Sequence, residues 1–181
     1  MSQNNIAPSL FDDGQIGGGS LPQQSKITQA TNLVDLLHDG FYIVFLLKNQ
    51  YVPENANGFK DKILDLLNRF EHQAKKLQFS PEDIHDAKYA YCALIDETIV
   101  TQQDPSFFNL QNHLLISPLQ LTLFGSQLAG YRFFEFLELI RARGKERLAS
   151  LEVFHYCLLL GFQGKYRIES IESLNHLVAR V

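Results

Sequence analysis

Only two cysteines, Cys92 and Cys157, occur in the 181 residues, and both sit inside apolar runs, Tyr91-Cys92-Ala93-Leu94 and Tyr156-Cys157-Leu158-Leu159. Two thiols cannot make a disulfide framework, so the simple reading is a pair of buried free thiols in a reducing compartment. No apolar run reaches the roughly 20 residues that a membrane-spanning helix needs. Gly40 to Leu47 and Val153 to Phe162 are the longest such runs, and both read as core helices. The start of the chain, Met1-Ser2-Gln3-Asn4-Asn5, carries neither the basic region nor the apolar stretch of a secretory signal. Basic charge is also short: 16 Lys and Arg stand against 20 Asp and Glu, for a net charge of -4 and a pI near 5.8. Without a positive global field there is nothing to hold a polyanion, which disfavours nucleic-acid binding. Strand signals are nearly missing, with no sustained alternation and no hairpin of the Asn-Gly or Asp-Gly kind.

What is present is helix. A chain of this length buries roughly 70% of its unfolded surface and needs neither disulfide nor metal to hold a core. Residues 1–25 contain Gly17-Gly18-Gly19-Ser20, Pro8 and Pro22 and read as a disordered leader, with an all-helical domain expected over 26–181. From Gln29 the apolar residues Leu33, Val34, Leu36, Leu37, Phe41, Val44, Phe45 and Leu47 recur at threes and fours, predicting a buried first helix that ends near Asn49. A second, amphipathic helix puts Phe59, Ile63, Leu66, Leu67, Phe70, Ala74 and Leu77 on one face. Ser80-Pro81-Glu82-Asp83 is a start signal, with a serine cap, proline in the first turn and acids at the positive end of the dipole. The third helix it opens should run to about Thr101, where Asp104-Pro105 closes it. Ser117-Pro118 opens a short helix ended by Gly125, and further helices are expected over about 127–143, 150–160 and 169–180. The expected fold is all-α, with seven or eight helices and no internal repeat.

Enzyme templates fail in turn. There is no His-Glu-x-x-His, and the six histidines (His38, His72, His85, His113, His155, His176) form no i, i+4 pair, so no metal site is expected. Gly161-Phe162-Gln163-Gly164-Lys165 only superficially resembles a phosphate loop, because Leu159 and Tyr166 stand where that motif needs Gly and Ser or Thr. Gly161 is better explained as a helix C-cap. Arg141, Arg143, Lys145 and Arg147 cluster near Gly144, which suits a helix carboxyl end and, less specifically, anionic lipid. Phe133, Phe134 and Phe136 cannot all share one helix face, so one of them is a candidate contact residue.

One region is chemically unusual. From Tyr89 through Tyr131 there is no Lys or Arg, yet the apolar third helix carries adjacent acids in Ala93-Leu94-Ile95-Asp96-Glu97. Neither acid has a cation three or four residues away. Three readings remain open: an ion pair with Arg132, Lys165 or Arg167 that locks helices together, an acidic cleft aimed at a basic partner surface, and acid–base chemistry. The last is disfavoured because adjacent helical residues point about 100° apart. Tyr89, Asn109 and Gln111 are candidate rim contacts of the cleft.

Three segments in order carry a family resemblance: Tyr89 to Glu97; Pro118-Leu119-Gln120-Leu121-Thr122-Leu123-Phe124-Gly125 leading into Ala129-Gly130-Tyr131-Arg132-Phe133-Phe134; and Tyr156 to Arg167, with its Gly161-Phe162-Gln163-Gly164-Lys165-Tyr166-Arg167 run. Together, over about residues 29–180, they resemble the DotU/TssL family of type VI secretion, with relatives in the Dot/Icm type IVB system. The resemblance implies an all-helical domain of two packed three-helix bundles, hook-like in outline, on the cytoplasmic side of the bacterial inner membrane. It implies a carboxy-terminal membrane anchor, which does not occur before Val181, and self-association of the full-length protein. The implied partners are an IcmF-like inner-membrane protein and cytoplasmic baseplate subunits, with no cofactor and no catalysis. Asp96 and Glu97 match the family's acidic pair and are expected, with Tyr89, to bind a partner. Pro118, Gly125, Gly161, Gly164, Tyr166 and Arg167 are expected to be structural. The alternative is a soluble helical adaptor or regulator with an interhelical ligand or peptide pocket.

Overall fold

The computed structural model describes residues 32–181, and these are all-helical, with no strand among them. The leader expected over 1–25 lies outside the described residues. The predicted first helix is two: α1 (Leu33–Leu36) and α2 (His38–Lys48), separated by a break at Leu37. Asn32 caps α1, its side-chain oxygen accepting from the Asp35 N–H at 2.7 Å. α3 (Ala56–Lys76) starts at Asn55, which accepts from the Gly58 N–H at 3.0 Å. Its predicted apolar face is buried except for Leu77, which lies just past the helix end and is half exposed.

α4 (Pro81–Val100) begins at the Ser80 cap, where Ser80 Oγ accepts from the Asp83 N–H at 3.0 Å. Tyr89, Ala90, Tyr91, Cys92, Ala93, Leu94 and Ile95 are consecutive and all buried. A helix apolar on every side has to run through the middle of a fold, and α4 packs against α2, α3 and four later helices. Those are α5 (Phe108–Ile116), α6 (Leu119–Phe124), α7 (Ala129–Arg143) and α8 (Leu148–Leu159), with α9 (Ile171–Val178) closing the chain. Short 3-10 turns at Pro105–Phe107, Gly144–Arg147 and Gly164–Arg167 join several of them.

One contact fixes α4 against α2, and a ring cluster joins the helices on its other side. The Tyr91 hydroxyl donates to the Gly40 carbonyl oxygen at 3.0 Å, and a Cβ on Gly40 would come within 2.8 Å of the Tyr91 ring, so α2 approaches only because that residue is glycine. On the other side Phe133 of α7 packs on Phe154 of α8 and on Phe162, with ring centroids 4.6 and 4.2 Å away. Phe133, Phe134, Phe154 and Phe162 are all buried. Truncating one such ring to alanine costs about 3–5 kcal/mol. Of the three clustered phenylalanines only Phe136 is partly exposed, and it stacks edge-on against Tyr89 at 4.8 Å.

The basic cluster resolves into an internal network. Arg147 is only 8% exposed; its Nε donates to Asp83 at 2.7 Å, one terminal nitrogen to Asp86 at 2.7 Å and the other to Glu82 at 3.1 Å. Arg143 reaches Glu82 at 2.9 Å, and Arg141 pairs with Glu138 on its own helix at 2.7 Å. Burial acts to raise the Asp83 carboxyl, but hydrogen bonds from Ser150, Ser80 and Arg147 together hold it below its ordinary range. Arg143 and Arg147 tie the α7–α8 turn to the first two turns of α4, so the acids that open α4 serve packing as well as the helix dipole.

Candidate functional site

Asp96 and Glu97 lie in the last turns of α4, facing the segments that return over it. Asp96 does not meet a cation. Its two carboxylate oxygens accept from the Leu119 N–H at 3.1 Å and the Gln120 N–H at 2.9 Å, the first free amides of α6. Pro118 precedes them as the residue that enters α6, and Gly125, with φ of 65°, ends it. The first N–H groups of a helix have no partner within it, so a carboxylate there satisfies them and sits at the positive end of the dipole. Lys60 of α3 braces the same entry, donating to the Ser117 carbonyl at 2.9 Å, the Ser117 hydroxyl at 2.7 Å and Thr122 at 2.9 Å.

Glu97 does for a turn what Asp96 does for a helix. Its oxygens accept from the Gln163 N–H and the Gly164 N–H, each at 2.7 Å. Gly164 has φ of 50°, and a Cβ there would lie 2.6 Å from the Gly130 carbonyl oxygen and 2.9 Å from the Phe134 ring. Only glycine fits that crossing of the turn over α7. Tyr166 packs edge-on against Phe134 at 4.7 Å, with the Lys165 ammonium 5.2 Å from its ring centre. Gly161 ends α8, and the chain turns there through hydrogen bonds from the Gly161 N–H to Leu158 and from the Phe162 N–H to Cys157.

Arg132, Lys165 and Arg167 therefore make no ion pair with the acidic pair, although Arg167 shares its cavity. Burial pushes the Asp96 carboxyl up to about 6, against the opposing pull of the Gln120 and Leu119 amides and of Lys60. Glu97 is raised too, again by burial, with the Gln163 and Gly164 amides, Arg167 and Lys48 working the other way. Both groups are thus carboxylates held by backbone amides in a half-dry setting.

They form the polar floor of a cavity of about 360 Å³ between α4, α5, α6 and the start of α7. Its walls include Val100, Leu114, Leu115, Ala129 and Phe162, and Val100 and Leu115 are 46% and 59% exposed. The lining holds two acids and one cation, Arg167. Among the described residues no group of three or more metal-ligating side chains occurs, and no helix is long and apolar enough to cross a membrane.

The structure does not bring Tyr89 to this cavity. It lies on the far side of Gln120, whose side-chain nitrogen donates to the Tyr89 carbonyl oxygen at 2.8 Å, and it lines a separate pocket. Gln111 spends its side-chain N–H groups on the carbonyls of Ile99 and Gln102, at 3.0 and 2.9 Å, ending α4, while Asn109 is exposed on α5. Lys60 and Gln120 are the site residues that sequence reasoning missed. In the sequence Lys60 is one of several charged residues, with Lys62, Asp65, Arg69 and Lys75, opposite the apolar face of the second helix, and nothing in its spacing shows which carbonyl it reaches.

The family profile described as "Type VI secretion system protein DotU" matches residues 32–181. Among solved structures, the "Cytoplasmic domain of TssL from Acinetobacter baumannii" is 82% identical, with 83% of this chain and 94% of that one covered and a TM-score of 0.82. The "Crystal structure of T6SS SciP/TssL from Escherichia Coli Enteroaggregative 042" is 23% identical over 84% of this chain and 89% of that one, with a TM-score of 0.71, a likeness of fold. No curated protein sequence matches.

Proposed function

The chain belongs to the DotU family of type VI secretion system proteins, structural components of that machine, and from this we propose that it acts as a docking platform at the inner membrane, with these helices on the cytoplasmic side. In this reading it joins an IcmF-like membrane partner to cytoplasmic baseplate subunits, and the groove over Asp96 and Glu97 receives one of them. The observation that carries the reading is the groove itself: exposed apolar walls over two acids whose only lining cation is Arg167. Such a surface suits a segment with a Lys or Arg side chain flanked by apolar residues. The carboxylates keep lone pairs beyond those given to the four amides, and a partner cation would meet both acids from the groove side.

Asp96 and Glu97 are also needed by α6 and the 161–167 turn, so changing them alone would confuse binding with folding. The separating experiment uses the walls. Leu115→Arg and Val100→Arg place charge on exposed positions and replace apolar side chains that make no hydrogen bond of their own. We expect each to weaken capture of a purified baseplate subunit at least about tenfold, a loss of roughly 1.4 kcal/mol, with the melting temperature unchanged. Full capture by both variants would remove the groove from the docking role.

A further inference from the structure

A second pocket, of about 550 Å³, opens two turns earlier on α4, between α3, α6 and α7, and its chemistry is opposite to that of the acidic groove. Lys75, Lys88 and Arg132 line it with one acid, Glu71. In a chain of net charge -4, that is a local positive site. Lys75 and Lys88 both bond to Glu71, at 2.5 and 2.6 Å, which holds that carboxyl down at about 2 and fixes both ammonium groups at the pocket wall. Each ammonium retains two further donors. Arg132 is exposed and makes no side-chain hydrogen bond or ion pair among the described residues.

Tyr89 supplies the independent observation. It is 2% exposed and lines this pocket, and its hydroxyl has no hydrogen-bond partner. A buried hydroxyl without a partner is costly, and such groups are rare in folded proteins. Burial pushes the phenol up to about 12, with Arg132 acting against that rise and Glu135 adding to it, so the hydroxyl stays a proton donor beside a guanidinium. Next to these donors stand two rings, Phe124 and Phe136, whose centroids lie 5.1 and 4.8 Å from that of Tyr89. The pocket offers anion donors on one side and an aromatic wall on the other.

We propose that this pocket binds an acidic side chain of a partner protein, the carboxylate held by Arg132 and the Tyr89 hydroxyl and a neighbouring apolar residue laid against Phe124 and Phe136. Arginine pairs with a carboxylate through two parallel N–H groups, which gives direction as well as attraction. The net positive lining selects an acidic segment over a basic one, and the rings select one with an apolar neighbour. The site is separate from the Asp96 and Glu97 groove, and its occupancy does not depend on that groove's role.

The test is an NMR titration of the whole chain with a blocked peptide of one phenylalanine followed by two aspartates. The matching peptide with two asparagines and inorganic phosphate are run alongside. The acidic peptide should shift the Arg132 side-chain and Tyr89 ring signals. Arg132→Gln should weaken it about tenfold or more, and Tyr89→Phe about fivefold, the loss of one hydrogen bond. Tyr89→Phe should leave the melting temperature unchanged or higher, because it removes a hydroxyl that the fold does not use. Equal binding of the asparagine peptide, or no effect of either substitution, overturns the proposal. Phosphate binding as tight as the peptide's, with the same shifts, would assign the site to a free oxyanion instead. The chain carries the same pattern itself in Phe11-Asp12-Asp13, so stronger peptide binding after Asp12→Asn with Asp13→Asn would mean that its own acids compete for the pocket, and the partner assignment would fall.

Discussion

Asp96 is a carboxylate made costly by burial and kept in place by two amides, and that combination has a measurable sign. An unfolded aspartate titrates near 3.9, and in the fold this one titrates at about 6. Between those values the native state binds the proton more tightly than the unfolded chain. The unfavourable contribution of the charged form is therefore fully present above about pH 6 and is relieved as pH falls toward 4, by an amount on the order of 2–3 kcal/mol. Glu71 has the opposite sign: its carboxyl is lowered to about 2, so the stability it contributes is present above its ordinary value near 4.5 and is lost as pH falls toward 2. Urea unfolding should consequently show greater stability near pH 5 than near pH 7.5, followed by a decline in stronger acid. Asp96→Asn should reduce the rise and leave the acid decline. A curve already falling from pH 7 to 5 would mean that amide bonding outweighs burial at Asp96.

The elements themselves were largely legible. Serine, proline and the acids at 80–83 place the start of α4 where it is found, and the threes-and-fours of α3 give its buried face. α5 was not legible, and the reason is local. Asp104-Pro105 reads as the end of one helix, but the Asp104 side chain accepts from the Ser106 N–H at 2.9 Å and opens a 3-10 turn that runs straight into α5. Along α5 only Leu110 and Leu114 are buried, while Phe108, Leu115 and Ile116 are exposed, so the apolar letters do not mark one face. The acidic pair was legible as an anomaly, through the missing cations, but its partners were not. Those partners are backbone N–H groups, which every residue but proline carries and which no letter of the sequence distinguishes. The 161–167 turn rests on this kind of contact. Gly164→Ala should lower stability by well over the ~1 kcal/mol of an ordinary glycine replacement, because the new methyl meets the Gly130 carbonyl and cannot be moved aside. In amide NMR spectra the Gln163 and residue-164 signals should lose their hydrogen-bonded shifts as Glu97 is released, and a variant that melts like the parent would show that the crossing has room.

At the scale of the molecule, the two thiols report on whether the core is closed. Cys92 on α4 and Cys157 on α8 are both fully buried, and burial raises both thiols well above their ordinary value. Neither should react with a thiol-specific reagent in the native protein at neutral pH. Both should become reactive together, with the same denaturant midpoint as the loss of helical signal, if the helices around α4 open as one unit. Early reaction of Cys157 alone would show that α8 detaches first.

The position of α4 in the middle of both the fold and the chain sets the order of events at the ribosome. α8, which carries Phe154 and Cys157 into the core, and the turn that receives Glu97 are made long after α4 itself. A nascent chain that has reached Val100 has a helix apolar on every side and only α1 to α3 to cover it. Long-range contacts of this kind are formed late and leave apolar surface open in the interval. Closure waits until Gly164 has cleared the exit tunnel, so fragments ending before α8 should be held by chaperones or degraded; Asp96 can meet its amides once Gln120 has emerged, but Glu97 waits for Gly164.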